Sequence, residues 1–343
     1  MIHEVWDPLA AFAISVAGVG VALWYARRAG ILDVPNHRSS HSVPTPRGGG
    51  IALVGAVLVV GANEVARVGQ GSLWVFLVLL GTIAALAFVG WRDDRGSIRV
   101  GHRLGVHLVC GFAVALLVNE IAPLPGVLNI AWLAWWGFWT VASINIVNFM
   151  DGVDGMIASQ GIVYGIFLFA LLPDSTLGGR FGLILAAGCL GFLVWNWSPA
   201  KMFMGDVGSG PLGLFVVIGG ALAVRGAPAA LVFLPLFPLF LDALVTVLIR
   251  FRRGERLTDA HRSHLYQRLA NGGYGHARVT AIYALAASIG AVVSLWVEDA
   301  SASRIATAIL VYVVLVLIGW KLLHERFVES PIGNHQPIAN LKR

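Results

Sequence analysis

The stretch "AWLAWWGFWTVASINIVNFMDGVDG", residues 131–155, runs from an apolar, tryptophan-rich segment straight into asparagines, aspartates and glycines. The first part suits hydrocarbon, whereas the second carries ionisable groups that hydrocarbon excludes unless they are paired or functional. If the helix continues through Asn145, the steps from Asn145 to Asn148 and from Asn148 to Asp151 each span three residues. They form a polar stripe that drifts around the helix. Asp151 and Asp154 repeat the step, and Gly152 and Gly155 remove bulk beside them. Such a carboxylate pair suits a divalent ion, a neighbouring base or donors on a substrate. Read alone, it would also serve as helix capping at a membrane boundary.

The apolar character extends along the whole chain. Of 343 residues, 57% are hydrophobic and 12% charged, and the mean hydropathy is +0.78, far from a soluble domain. Windows long enough to cross a bilayer fall near 6–26, 50–67, 72–91, 104–121, 128–147, 157–173, 181–197, 210–224, 227–249, 279–296 and 304–323. The expected fold is all-α, a polytopic membrane protein of about eleven transmembrane helices. The first window is followed by Arg27 and Arg28 and is too long for a signal-peptide core, so it reads as a retained span. No linker divides the chain, and residues 1–343 read as one integral-membrane domain. Cys110 and Cys189 lie in apolar segments and make neither a disulfide framework nor a metal knuckle.

Polar loops at 27–49, 92–103, 148–156, 198–209 and 250–278 alternate with the spans, so all of them should lie on one face. Of the 24 Lys and Arg residues, only Arg67, Arg180, Arg225 and Arg304 fall on the other face. By the positive-inside rule the loop face is cytoplasmic, the N-terminus is outside and the C-terminus is cytoplasmic. The pI near 9.7 then reports topology and attraction to anionic membrane lipids, and no nucleic-acid partner is expected.

Each loop adds a constellation to the opening pair. "VGWRDDRGSIRVGHRL" places Asp93 and Asp94 at the end of a span among Arg92, Arg95, Arg99, His102 and Arg103. Adjacent aspartates diverge on a helix, so the two meet different partners. "SPAKMFMGDVGSGPLG" carries Lys201 and sets Asp206 between glycines whose exposed amides favour a phosphate and its metal. The spacing excludes a nucleotide-binding P-loop. "RFRRGERLTDAHRSHLYQRL" contributes His261, Arg262 and His264. Without an HExxH motif, the carboxylate-rich loops suit hard Mg2+, with Mn2+ as substitute, better than zinc. "DVPNHRSSHSVPTPRGGG" adds Asp33, Asn36, His37, Arg38, His41 and Arg47 on a path stiffened by prolines.

In this order between membrane spans, the Asp33–Gly50 loop, Asp93–Asp94, "NFMDGVDG", "FMGDVGSGPLG" and the His261/His264 loop resemble the polyprenyl-phosphate N-acetylhexosamine-1-phosphate transferases, which include the phospho-N-acetylmuramoyl-pentapeptide transferases. The likeness spans roughly residues 30–275. It implies Mg2+-dependent transfer of a sugar 1-phosphate from a UDP-N-acetylhexosamine to undecaprenyl phosphate, with release of UMP, at a bacterial inner membrane. It also implies Asp206 and Asp151 as metal ligands, with Asp93, Asp94 and Asp154 completing the catalytic carboxylates. Asp93 or Asp94 would orient the lipid phosphate and, where required, deprotonate it. Asp33, Arg38, His41, Arg47, Asn148, Lys201, His261, Arg262 and His264 are assigned to substrate. Single and double displacement both stay open, with direct attack preferred. Where the muramoyl-pentapeptide branch has a lysine and a run of histidines, this chain has Arg95 and Arg99 and only His261 and His264. "AHRSHLYQRL" is closer to the subgroup that initiates O-antigen and other surface polysaccharides. A homodimer is kept beside the monomer as an arrangement.

Two other classes compete. An ion-coupled membrane transporter would use Asp93, Asp151 and Asp206 as a path but requires polar groups through successive spans. A multispan scaffold accounts for the basic loops but not for the Asp/Gly motifs.

Overall fold

A computed structural model describes residues 2–35, 40–68, 73–96, 98–121, 123–172, 176–224, 226–256 and 261–328. The fold is all-α, as the hydropathy pattern requires. Its helices are α1 (Ile2–Ala29), α2 (Gly50–Val68), α3 (Leu73–Arg95), α4 (Val100–Ile121), α5 (Val127–Phe149), α6 (Met156–Leu171) and α7 (Leu177–Asn196). They are followed by α8 (Asp206–Ala223), α9 (Ala229–Val232), α10 (Phe237–Arg252), α11 (Leu265–Leu269), α12 (His276–Val297) and α13 (Ala302–Val328). Among the described residues, 10 helices are long and apolar enough to cross a membrane, and the shorter apolar α6 joins them. The expected span at 227–249 is bent: α9, a tight turn at Leu234–Leu236 and α10 follow one another where Pro235 and Pro238 interrupt the backbone ladder.

Burial decides the order of layers. In α8, 83% of the spanning window is covered by protein, against 6% in α13. Helix α8 is therefore the axis of the bundle and α13 a peripheral helix. Small residues let the neighbours approach that axis. Gly50 of α2 and Gly208 of α8 meet backbone to backbone, with no room for a Cβ on either. Ser143 of α5 donates to the Gly213 carbonyl of α8 at 2.9 Å. Side chains such as Trp296, 80% exposed, face outward and would meet lipid.

The short elements matter for function. Leu32–Asp33 (β1) pairs antiparallel with Thr45–Pro46 (β2), and Arg47 bridges to Phe203. Phe203 N–H donates to the Pro46 carbonyl at 2.8 Å and Gly50 N–H to the Met204 carbonyl at 2.9 Å. These backbone bonds lace the first polar loop to the fourth. Arg38, with Asn36 and His37, lies outside the described residues, as does Arg225.

At the other end of α1 and α2 the charges are balanced. Arg67 pairs with Asp7 at 2.6 Å and lies 3.6 Å from Glu64, and Arg180 at the start of α7 closes on Glu64. Glu64 is 2% exposed, so the four groups clamp three helices around one buried carboxylate. Breaking a buried pair strands its partner, at about 3 kcal/mol or more. We predict that Glu64→Ala lowers the thermal unfolding temperature of the detergent-solubilised protein by several degrees, at about 1–2 °C per kcal/mol for a chain of this length. An unchanged melt would show that the clamp is idle.

Candidate active site

Most of the sequence-selected residues converge on one cavity of about 190 Å³. Asp33, His41 and Arg47 come from the first loop, Asp94 from the end of α3, and Asn148, Asp151 and Asp154 from the α5–α6 junction. Asp206 enters from the start of α8, Gln267 from α11 and His276 from the start of α12. All five polar loops thus contribute to one place at one end of the bundle.

The α5–α6 junction is built by its glycines. Helix α5 stops where Met150 takes the cap position and its N–H returns to the Ile146 carbonyl. Gly155 then turns with φ 76 to start α6, a conformation that L side chains rarely adopt. Between them Gly152 passes beneath the Tyr266 hydroxyl, which donates to the Phe149 carbonyl at 2.8 Å.

Asp94 faces the start of α8. Its carboxylate accepts the backbone N–H of Asp206 at 3.1 Å and of Val207 at 3.2 Å, while its carbonyl accepts from Arg47 Nη2. Asp93 turns the other way, as adjacent residues on a helix must. It accepts the Ile98 N–H at 2.7 Å and Arg103 Nη1 at 2.5 Å. Arg103 also lies 3.4 Å from Asp206 Oδ2 and donates to Asn148 Oδ1 at 3.1 Å, and Asn148 in turn donates to Ser209. One guanidinium therefore ties the second, third and fourth loops together.

Asp154 is held from three sides. His276 Nδ1 stands 3.1 Å from its Oδ1, the Ala200 N–H donates at 3.1 Å, and the Asp154 carbonyl accepts from Thr280 at 2.7 Å. Burial acts upward on the Asp154 carboxyl, but the hydrogen bond and charge of His276 and the Ala200 and Ser198 donors outweigh it and bring it below the usual range. His276 Nε2 meets the Ser40 carbonyl at 3.0 Å and so carries a proton. Its Nδ1 accepts the Asp154 N–H at 3.3 Å when neutral and donates to the carboxylate when protonated.

Asp151 is the exception. Among the described residues no cation reaches its carboxylate. Burial first, then the charges of Asp206, Asp94 and Asp154, push it well above the ordinary carboxylate range. A carboxyl so placed favours its protonated form, and a cation brought in with a ligand would displace that proton. No three His, Cys, Asp or Glu residues among those described form a ready metal cage. Mg2+ is usually held by one or two carboxylates together with substrate phosphates, and Asp151 and Asp206 are two carboxylates on the wall of the same cavity. The residues present therefore fit the ion through Asp151 and Asp206.

The remaining selected residues lie further out. His264 is buried against Tyr266, with ring centroids 5.6 Å apart, and His261 lies 5.0 Å from His264. Neither lines the cavity: His264 touches Tyr266, Tyr266 touches Gly152, and Gly152 forms the wall. Arg262 is exposed, and Lys201 is exposed beside Trp195, 6.0 Å from its ring. Several residues that shape the site were not selected from sequence, Gln267 on the cavity wall among them. Arg103 was hidden among neighbouring arginines, and His276 follows a glycine-rich turn without a motif. Asp242, alone in an apolar span, accepts the Leu265 and Tyr266 N–H groups and the Tyr283 hydroxyl, and so fixes α11. Its signal was present as an isolated carboxylate among apolar residues.

His261 supplies a pH test. Burial, then the charges of His264 and Arg250, lower its pKa from 6.5 to about 4. The unfolded chain takes up this proton near 6.5 while the folded chain resists until about 4. The associated stability is full above the upper value and is lost as pH falls through the window. Thermal unfolding should drop between those two pH values, and the drop should be smaller in His261→Gln. Equal drops in both proteins would contradict the assignment.

Comparison with known proteins adds kinship to this geometry. The family model for glycosyl transferase family 4 matches residues 76–225. The decaprenyl-phosphate N-acetylglucosaminephosphotransferase of Mycobacterium tuberculosis is 30% identical over 317 residues, covering 80% of this chain and 77% of that protein. A probable undecaprenyl-phosphate N-acetylglucosaminyl 1-phosphate transferase of Bacillus subtilis is 24% identical, with 73% of each chain covered. The phospho-N-acetylmuramoyl-pentapeptide-transferase of Chlamydia muridarum is 28% identical over 216 residues, covering 53% of this chain and 63% of that one.

Proposed function

Because the chain belongs to glycosyl transferase family 4, among the polyprenyl-phosphate sugar-phosphate transferases, we propose that it moves an N-acetylhexosamine 1-phosphate from a UDP-sugar to undecaprenyl phosphate. UMP leaves, and the product initiates O-antigen or a related envelope glycan. The site would face the cytoplasm at a bacterial inner membrane. The observation that carries the reading is the convergence of all five polar loops on one cavity around Asp151, a buried carboxyl that no cation among the described residues reaches, at the end of a membrane-length bundle. One reagent of this reaction cannot leave the bilayer and the other cannot enter it, so the chemistry belongs at such an end.

In the proposed reaction a lipid phosphate oxygen bonds to the phosphorus that carries the sugar, and the bond from that phosphorus to UMP breaks. Charge withdrawal from the diphosphate and from the departing UMP is what a bound Mg2+, or Mn2+ in its place, would supply, held by Asp151 and Asp206. Arg103 lies between Asp93 and Asp206 and so can steady an incoming phosphate. Asp93 is already engaged by Arg103 and the Ile98 N–H, which suits orientation. The lipid phosphate has a second pKa near 6 by analogy with phosphorylated side chains, so it is mostly dianionic at neutral pH and needs no strong base. The His276 bridge between Asp154 and Ser40 ties the first loop to the cavity.

Purified protein supplied with polyprenyl phosphate, Mg2+ and a panel of UDP-N-acetylhexosamines should release UMP, and omission of any one component should abolish release. Asp206→Asn should cut turnover by more than about 100-fold while leaving thermal unfolding close to wild type. Flux of a soluble solute without UMP release would overturn the proposal in favour of transport, and wild-type turnover by Asp206→Asn would remove Asp206 from the chemistry.

A further inference from the structure

A second cavity, of about 330 Å³, adjoins the first. It lies between the last turn of α1 (Tyr25, Ala29), β1 (Leu32) and the last turn of α3 (Arg95), and Arg47 and Asp94 line both cavities. Its charge balance is positive. The Asp94 carboxylate is occupied by the Asp206 and Val207 N–H groups, and the Asp94 carbonyl takes one nitrogen of Arg47. Arg47 Nε is buried with no acceptor among the described residues. Among the described residues Arg95 makes no ion pair, and its guanidinium lies over the Trp91 ring at 4.2 Å. The carbonyl end of α1 contributes partial negative charge, which Arg27 and Arg28 in its last turn offset.

The exposed rim includes Tyr25 and Leu32 of the cavity wall. Trp91, beneath the Arg95 guanidinium, stacks on the exposed Phe88 with ring centroids 6.0 Å apart, and Arg28 stacks on Trp24, the neighbour of Tyr25 in α1, at 4.3 Å. Aromatic side chains at helix ends sit at headgroup depth in a bilayer, and arginines beside them meet phosphates. A soluble anion would need the guanidinium groups but not this rim. A phosphate carried on a lipid uses both.

We propose that this second cavity binds the phosphate group of a membrane lipid, held by Arg95 and Arg47. Because Arg47 also lines the reaction cavity, a phosphate bound here stands one side chain from the chemistry. The binding claim is independent of the transferase reading. Only its consequence for turnover rests on that reading.

The test uses the full-length protein in phosphatidylcholine nanodiscs, with Arg95→Gln and the charge-retaining Arg95→Lys. Retention of phosphatidylglycerol and of polyprenyl phosphate is measured by lipid extraction after washing, and thermal unfolding confirms the fold of each variant. Arg95→Gln should retain at least one of the two lipids about ten-fold more weakly, the loss of roughly one charge-assisted contact, and Arg95→Lys should recover part of it. Kinetics then separate the sources. A higher KM for polyprenyl phosphate, with kcat and the nucleotide-sugar KM unchanged, makes this a waiting site for the acceptor. Lost stimulation by phosphatidylglycerol, with the acceptor KM unchanged, makes it a phospholipid site. Equal retention of both lipids by folded wild type and Arg95→Gln overturns the proposal, as does displacement of both by inorganic phosphate at equal concentration. Lipid binding without any UMP release would instead sink the transferase reading and leave the site standing.

Discussion

The carboxylate of Asp94 accepts two backbone N–H groups at the start of α8, and the site is arranged around that contact. The first N–H groups of any helix lack partners inside the helix, and α8 begins where protein gives way to the polar loops. A carboxylate from α3 satisfies two of them and sits in the favourable end of the helix dipole. The approach is possible because Gly90 and Gly205 carry no side chain: a Cβ on Gly205 would lie 2.5 Å from Asp94 Oδ2, and one on Gly90 would strike the Asp206 backbone. The position of Asp206 is therefore a consequence of helix packing.

From that anchor the other loops are placed by pairing. Arg47 reaches the Asp94 carbonyl and brings the first loop. Arg103 joins Asp93, Asn148 and Asp206, and His276 joins Asp154 to Ser40. The two ends of the bundle differ in a way that physical chemistry explains. Where Asp7, Glu64, Arg67 and Arg180 meet, acids and bases balance, and the cluster acts as a clamp. Where the loops meet, no cation among the described residues reaches Asp151, and burial with three neighbouring carboxylates raises its pKa. Carboxyl groups perturbed in this way cluster at functional sites.

Much of this was legible in the residues before any coordinates. Runs of apolar residues of membrane length specify helices, because hydrocarbon leaves backbone groups no other partner. The strict alternation of spans and polar loops placed the Asp/Gly motifs at one end of the bundle, and Asp33, Asp94, Asp151 and Asp206 do line one cavity. Those conclusions need only local composition and order along the chain.

What only the tertiary structure decided are pairings between residues far apart in sequence. Asp94 meets residues 112 and 113 positions away, and His276 meets Asp154 across 122, separations at which no periodicity carries information. Composition treats Asp93 and Asp94 as one motif, yet their side chains leave the helix in different directions and find different partners. His261 and His264 looked like site residues by type, but packing on Tyr266 keeps them off the cavity wall. Hydrophobic length is a property of a segment and can be read from it. A hydrogen bond or an ion pair is a property of two surfaces, and it exists only once packing has brought them together.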